Sequence, residues 1–136
     1  MAAIPTSDVV AVAEFRAALR QFLRRTERIA RKSGLTPQRY LLLLMVKGAR
    51  DGSERSTVTE LAERLQLAQS TVTELVSRAE ETGLLAREQS ATDARVAYLR
   101  LTDEGERRLM QAFTGLASER SHLRQTFAHL DAEQPD

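Results

Sequence analysis

Apolar residues recur at Val12, Phe15, Leu19, Phe22 and Ile29, with Thr26 filling the gap. Steps of three and four residues make one stripe of an α-helix. Ser7 is the expected cap, with Asp8 in the first turn where a negative charge suits the helix dipole. Gly34 is the expected stop, so the spacing predicts a helix over 7–33. A helix that long with so narrow a stripe exceeds what a small domain can bury, which points to packing against a second chain. Thr36-Pro37 restarts a helix, with Thr at the cap and Pro at the first helical position. Tyr40 to Val46 is apolar all round and therefore belongs inside. Gly48 to Ser56 reads as a polar loop.

Thr57-Val58-Thr59-Glu60 is a capping-box pattern ahead of Leu61, Ala62 and Leu65. A turn at Gln66–Ala68 leads to a second helix with Val72, Leu75, Val76 and Ala79 on one face, ending at Gly83. Short helix, tight turn and second helix make a helix-turn-helix pattern. Ser56–Leu61 and Ser70–Leu75 share the string Ser-Thr-Val-Thr-Glu-Leu. Two copies that close together are two helices with similar needs, since a repeat architecture requires longer periods and more copies. Leu84–Glu88 and Val96–Leu101 alternate as strands around a polar tip, Gln89–Arg95, forming a β-hairpin wing. Thr102 caps a last helix, with Asp103 and Glu104 in its first turn. Its stripe of Leu109, Phe113, Leu116, Leu123, Phe127 and Leu130 predicts one continuous helix over 102–130. The fold class is thus mainly α with a small β-hairpin.

Composition narrows the function classes. The 136 residues suit one domain, 1–136, and the absence of cysteine removes disulfides, thiolate nucleophiles and cysteine-type zinc sites. Leu41–Val46 is too short to span a bilayer. Met1–Val10 holds no basic residue and no long apolar core, so no secretory leader is expected and the cytoplasm is the default location. The net charge of +1 does not advertise a nucleic-acid binder. Its distribution does more. Residues 1–50 carry ten Lys/Arg against three Asp/Glu, whereas 57–100 carry five against seven and 101–136 four against seven. The basic cluster is Arg16, Arg20, Arg24, Arg25, Arg28, Arg31 and Lys32. It is either a phosphate- or partner-facing surface or a solvated face lying opposite an acidic C-terminal helix.

In this order and spacing the chain resembles the MarR family of bacterial transcription regulators. The resemblance rests on Leu35-Thr36-Pro37-Gln38, on Leu61-Ala62 with Leu65, and on Ser70-Thr71-Val72-Thr73. It continues through Gly83-Leu84-Leu85, Asp93-Ala94-Arg95, and Leu99-Arg100-Leu101-Thr102 with Gly105. It implies a winged helix-turn-helix at 36–101, with N- and C-terminal dimerisation helices at 7–33 and 102–130. It also implies a homodimer on pseudo-palindromic double-stranded DNA, acting as a repressor that answers to a small anionic or phenolic effector. Two departures stand out. The family commonly has a further helix beyond a turn like His129-Leu130-Asp131, so part of the dimer clasp is expected to be missing. Glu74 also stands where many relatives place a basic or polar residue.

With Val72, Leu75 and Val76 turned inward, the residues left for the major groove are Gln69, Ser70, Thr71, Thr73, Glu74, Ser77 and Arg78. Gln69 suits adenine; Glu74 can accept from cytosine N4 but repels phosphate. The Ser70 and Thr71 hydroxyls suit a phosphate oxygen beside the helix N-terminus, or else only cap the helix. Arg95 at the wing can enter the minor groove, oriented by Asp93 through an ion pair. The alternative is an exposed salt bridge of small energetic worth. Arg87 at the wing base is a further phosphate candidate. Tyr40, Met45, Met110 and Phe113 either line an effector cavity or fill core. His122 and His129 share a helix face without the further ligands that a metal needs, so neither metal nor cofactor is expected. No phosphate loop or paired nucleophile and base suggests an enzyme. The acidic reading head keeps a second function open, a winged-helix module for protein contacts without specific DNA.

Overall fold

The computed structural model describes residues 3–132; Met1, Ala2 and residues 133–136, which the 1–136 domain boundary includes, lie outside the described residues. The elements follow the order α1 (Thr6–Lys32), α2 (Pro37–Lys47), β1 (Arg55–Ser56), α3 (Val58–Leu65), α4 (Gln69–Glu81), β2 (Leu85–Gln89), β3 (Ala97–Leu101), α5 (Asp103–Gly115) and α6 (Ala117–Ala132).

Capping chemistry sets most boundaries. The Thr36 hydroxyl accepts the Arg39 N–H at 3.1 Å, one residue before Pro37 opens α2. Thr57 and Glu60 form the reciprocal capping box of α3. Thr102 accepts the Gly105 N–H at the start of α5. Three helices end in the same manner. The Leu35, Leu67 and Leu84 N–H groups reach back to Ala30, Ala62 and Ala79 across a left-handed residue. This is the Schellman closure, and glycine supplies the positive φ at Gly34 and Gly83. In the helix-turn-helix corner the left-handed residue is Gln66, φ 57°, whose own amide donates to the Glu63 carbonyl at 2.7 Å. That local bond is what lets a residue with a Cβ hold the turn between α3 and α4.

The core lies where α2 is enclosed. Leu42, Leu43 and Val46 meet Leu61 of α3, Val72 and Val76 of α4, Leu99 of β3 and Leu109 of α5, all without solvent exposure. The apolar-all-round segment 40–46 is therefore central, except that Leu41 faces out.

Four expectations need correction. Ser7 does not cap α1: the helix starts one residue earlier, on Pro5, whose carbonyl accepts the Asp8 N–H. The α1 stripe is centred on Ala11, Ala18, Thr26 and Ala30, with the bulky residues half-buried on its flanks and Val12 52% exposed. Small side chains at the crossing let the helices approach closely, which a count of bulky residues does not register. The Gly48–Ser56 segment is not all loop, since Arg55–Ser56 adds a third strand. It pairs with β3 (Arg55 opposite Arg100, Ser56 opposite Leu99) and gives a sheet of order β1-β3-β2. Finally, 102–130 is two helices. The helix breaks at Leu116, a fully buried residue, and α6 continues along α1 toward its N-terminus. His129-Leu130-Asp131, where a turn is expected, lies inside α6. The partner that α1 needed is supplied in large part by its own chain, with Phe15 and Phe127 in edge contact at 5.9 Å.

Candidate nucleic-acid interface

The outward face of α4 is built by the helix repeat. Val72, Val76 and Ala79 are buried, Leu75 is half-buried, and Gln69, Ser70, Thr71, Thr73, Glu74, Ser77 and Arg78 are all exposed. Ala68 occupies the cap position, and no side chain caps the helix. Ser70 and Thr71 are therefore not cap residues, and the first N–H groups of α4 face solvent with a partial positive charge. Gln69 leans back on the preceding helix, donating to the Thr59 hydroxyl at 3.4 Å. The Thr73 hydroxyl donates to the Gln69 carbonyl. Arg78 and Glu74, one turn apart, form an ion pair at 2.7 Å. That pair neutralises the acidic position by its own neighbour.

The wing tip is a folded loop. The Ser90 hydroxyl accepts the Thr92 and Asp93 N–H groups, and the Val96 N–H closes onto the Asp93 carbonyl. This places the Asp93 carboxylate under Arg95. It accepts the Arg95 backbone N–H at 3.0 Å and guanidinium N–H groups at 3.2 and 3.4 Å. Those bonds, the guanidinium first, hold the Asp93 carboxyl below the usual carboxylate range. The Arg95 side chain itself is 91% exposed. An oriented cation thus projects from the end of a hairpin. Arg87 is placed differently: its Nε donates to Glu80 of α4 at 3.0 Å, so it ties the wing to the helix.

One cluster lies outside the residues singled out from sequence. On the outer face of the sheet, Glu88 accepts from Arg55 at 3.3 Å and from Arg100 at 3.1 Å. The Arg55 guanidinium also lies 4.1 Å from the Tyr98 ring centre. The alternation Tyr98–Leu99–Arg100 was visible in the sequence, but Arg55 joins it only because β1 pairs with β3.

The four effector candidates sit among protein neighbours. Tyr40 belongs to the core, with burial pushing its phenol pKa up; Met45 and Met110 pack against that core. Phe113 lies 3.8 Å beneath the Arg120 guanidinium. His122 and His129 are exposed on α6 and border an open groove with Glu14 of α1. Among the described residues no group of three or more His, Asp or Glu suits a metal ion. Among them, too, no helix is long and apolar enough to cross a membrane.

The sequence profile of the MarR family matches residues 33–96, which run from the end of α1 through the wing tip. The chain is 37% identical over 84 residues to the HTH-type transcriptional repressor MdtR of Bacillus subtilis, a match covering 62% of this chain and 52% of that protein. Its fold matches the YusO protein of Bacillus subtilis with a TM-score of 0.65 at 26% identity, covering 94% of this chain and 92% of that one.

Across its helix-turn-helix and wing, residues 33–96, the chain is of the MarR family type.

Its architecture is the winged helix-turn-helix of that family, with α3 and α4 as the motif and β2–β3 as the wing. A MarR family regulator from Streptomyces coelicolor, Sco3205, solved in complex with DNA, shares this fold. Its TM-score is 0.65 at 22% identity, covering 90% of this chain and 76% of that one. The chain spans little more than half the length of the curated relatives it matches.

Proposed function

We propose that this MarR-type chain is a DNA-binding transcriptional repressor that works as a homodimer on a two-fold-related operator. The observation that carries the reading is the pairing of an uncapped, polar α4 face with a wing-tip arginine that is almost fully exposed and held by Asp93. An α-helix of this kind fits the major groove, and an oriented guanidinium fits the narrow minor groove beside it. In this reading Gln69, Ser70, Thr71, Thr73, Ser77 and Arg78 meet bases and phosphates. Glu74 and Asp93 act by holding Arg78 and Arg95, and Arg87 braces the wing.

The dimer layer is drawn from α1 and the C-terminal helices. Exposed large apolar residues concentrate there, with Val9, Val10, Val12 and Leu23 on α1 and Phe127 on α6. A two-fold axis through that layer would set two α4 helices one DNA turn apart, roughly 34 Å. A small anionic or phenolic effector near Tyr40, Met45, Met110 and Phe113 would act only through unequal affinity for two spacings. Because Tyr40 belongs to the core and Met45 and Met110 pack against it, the effector would have to open the packing between α2 and α5. Such a regulator works beside the chromosome, in the cytoplasm.

The test is selection from sheared genomic DNA by the purified protein at two salt concentrations. Retention of a small set of fragments, weakening steeply with salt, is the expected result. Uniform retention, or none at either salt, overturns the reading.

A further inference from the structure

On α4 and the wing the cations are matched to carboxylates one for one, except on the outer face of the sheet. Arg78 has Glu74, Arg87 has Glu80 and Arg95 has Asp93. Glu88, by contrast, serves two guanidinium groups, those of Arg55 and Arg100. One positive charge is left over on the outer face of the sheet.

We infer that Arg55 and Arg100 form a phosphate clamp that extends the DNA contact from the wing tip onto the sheet face; the inference rests on the DNA-binding reading above. Register puts the two arginines side by side, since Arg55 on β1 lies opposite Arg100 on β3. Glu88, opposite Tyr98 on β2, shares their face, while Leu85 and Leu99 point into the core. The arrangement is organised before any ligand arrives. Glu88 fixes both guanidinium groups, and the Tyr98 ring supports that of Arg55. Arg100 uses only its Nε in the pair, so both terminal amino groups remain to donate. A residual charge with aligned, unused donors matches the bidentate geometry of a phosphate. The position also fits a duplex. Arg100 is five residues beyond Arg95, at most ~17 Å along an extended chain, which is about half a turn of DNA.

The experiment uses the intact protein and a fragment that it retains, with affinity read by fluorescence anisotropy between 50 and 200 mM salt. Arg100→Gln and Arg55→Gln should each weaken binding and flatten the salt dependence by about 0.9 per protomer in log–log slope. Over that salt range the loss of affinity then shrinks on the order of threefold per contact. Sequence preference among retained fragments should not change. Glu88→Gln should act in the opposite direction, tightening binding and steepening the slope, because it frees charge rather than removing it. A cluster that only braces the sheet predicts a lower melting temperature in all three variants with no tightening in Glu88→Gln. Wild-type slope and affinity in Arg55→Gln and Arg100→Gln, or no tightening in Glu88→Gln, overturns the clamp alone. Wild-type protein that selects no fragment overturns the DNA-binding reading, and the clamp with it.

Discussion

Gly105→Ala is expected to be among the most damaging small substitutions in this protein. A Cβ at Gly105 would lie 2.2 Å from the Leu84 carbonyl oxygen and 3.0 Å from its carbon. Ordinary contact begins near 3.4 Å, so α5 and the α4–β2 corner would have to part by about 1.2 Å. Two hydrogen bonds between the α5 cap residue and the corner resist that movement. The Thr102 N–H donates to the Leu84 carbonyl at 3.1 Å, and its hydroxyl donates to the Gly83 carbonyl at 2.6 Å. That hydroxyl also accepts the Gly105 N–H at 3.0 Å. Overpacking costs about 1–3 kcal/mol, and stretching these bonds adds a comparable amount at roughly 1 kcal/mol each. Alanine returns about 1 kcal/mol of helix propensity. The net is about 2–4 kcal/mol, a melting temperature lower by roughly 8–16 °C. Thermal unfolding followed by circular dichroism at one fixed protomer concentration reads it directly, since a dimer's midpoint moves with concentration. Gly52→Ala is the control: φ is +74° but nothing lies within 4 Å, so only the left-handed penalty of about 1–2 kcal/mol applies. A Gly105→Ala protein melting within 2 °C of wild type, or above Gly52→Ala, would refute the reasoning.

Further outcomes follow from the same geometry. Arg95→Ala should leave the melting temperature unchanged, because solvent screens an exposed pair with Asp93. It should weaken DNA binding and lower the salt slope by roughly one per protomer; unchanged affinity removes Arg95 from the interface. Leu99→Ala, at a fully buried site where β3 meets α2, should cost about 2–5 kcal/mol in denaturant unfolding, and a cost below 1 would contradict the packing. Glu104 is held down to about 2 by hydrogen bonds from Arg107 and then Arg108. Its folded pKa lies below the unfolded value, so the stability it contributes is present above about pH 4.5 and is lost as pH falls toward 2. Glu104→Gln should therefore flatten the acid limb of unfolding midpoints in that window, and parallel limbs for the two proteins would count against the pairing. Leu23→Glu on exposed α1 should convert a sedimenting dimer to a monomer, and an unaltered sedimentation coefficient would place the dimer contact elsewhere.

Much of this was legible in the chain itself because it depends on near neighbours. The Thr36 cap, the Thr57–Glu60 box, the Gly34 and Gly83 stops and the Asp93–Arg95 clasp each span five residues or fewer, and the chain encodes them directly. So does the inward face of α4, which follows from the helix repeat. The α1 stripe keeps the helical period the sequence predicts but is centred on other residues, because alanines at a helix crossing carry little hydrophobic signal. The break at Leu116 is invisible for a related reason: the apolar periodicity runs on across it, and only the backbone leaving helical geometry at this buried residue separates α5 from α6.

The chain by itself encodes the local elements other than β1 and the α5–α6 break, and the residues each turns outward. Which charges share a surface is set by the packing of distant elements. Arg55 and Arg100 are far apart in the chain, and pairing of β1 with β3 brings them to one carboxylate. The basic α1 meets the acidic C-terminal segment through a single recorded ion pair among the described residues, Arg25 with Glu119. Electrostatic energy depends on distances across the fold, and no count of charges along a chain contains them.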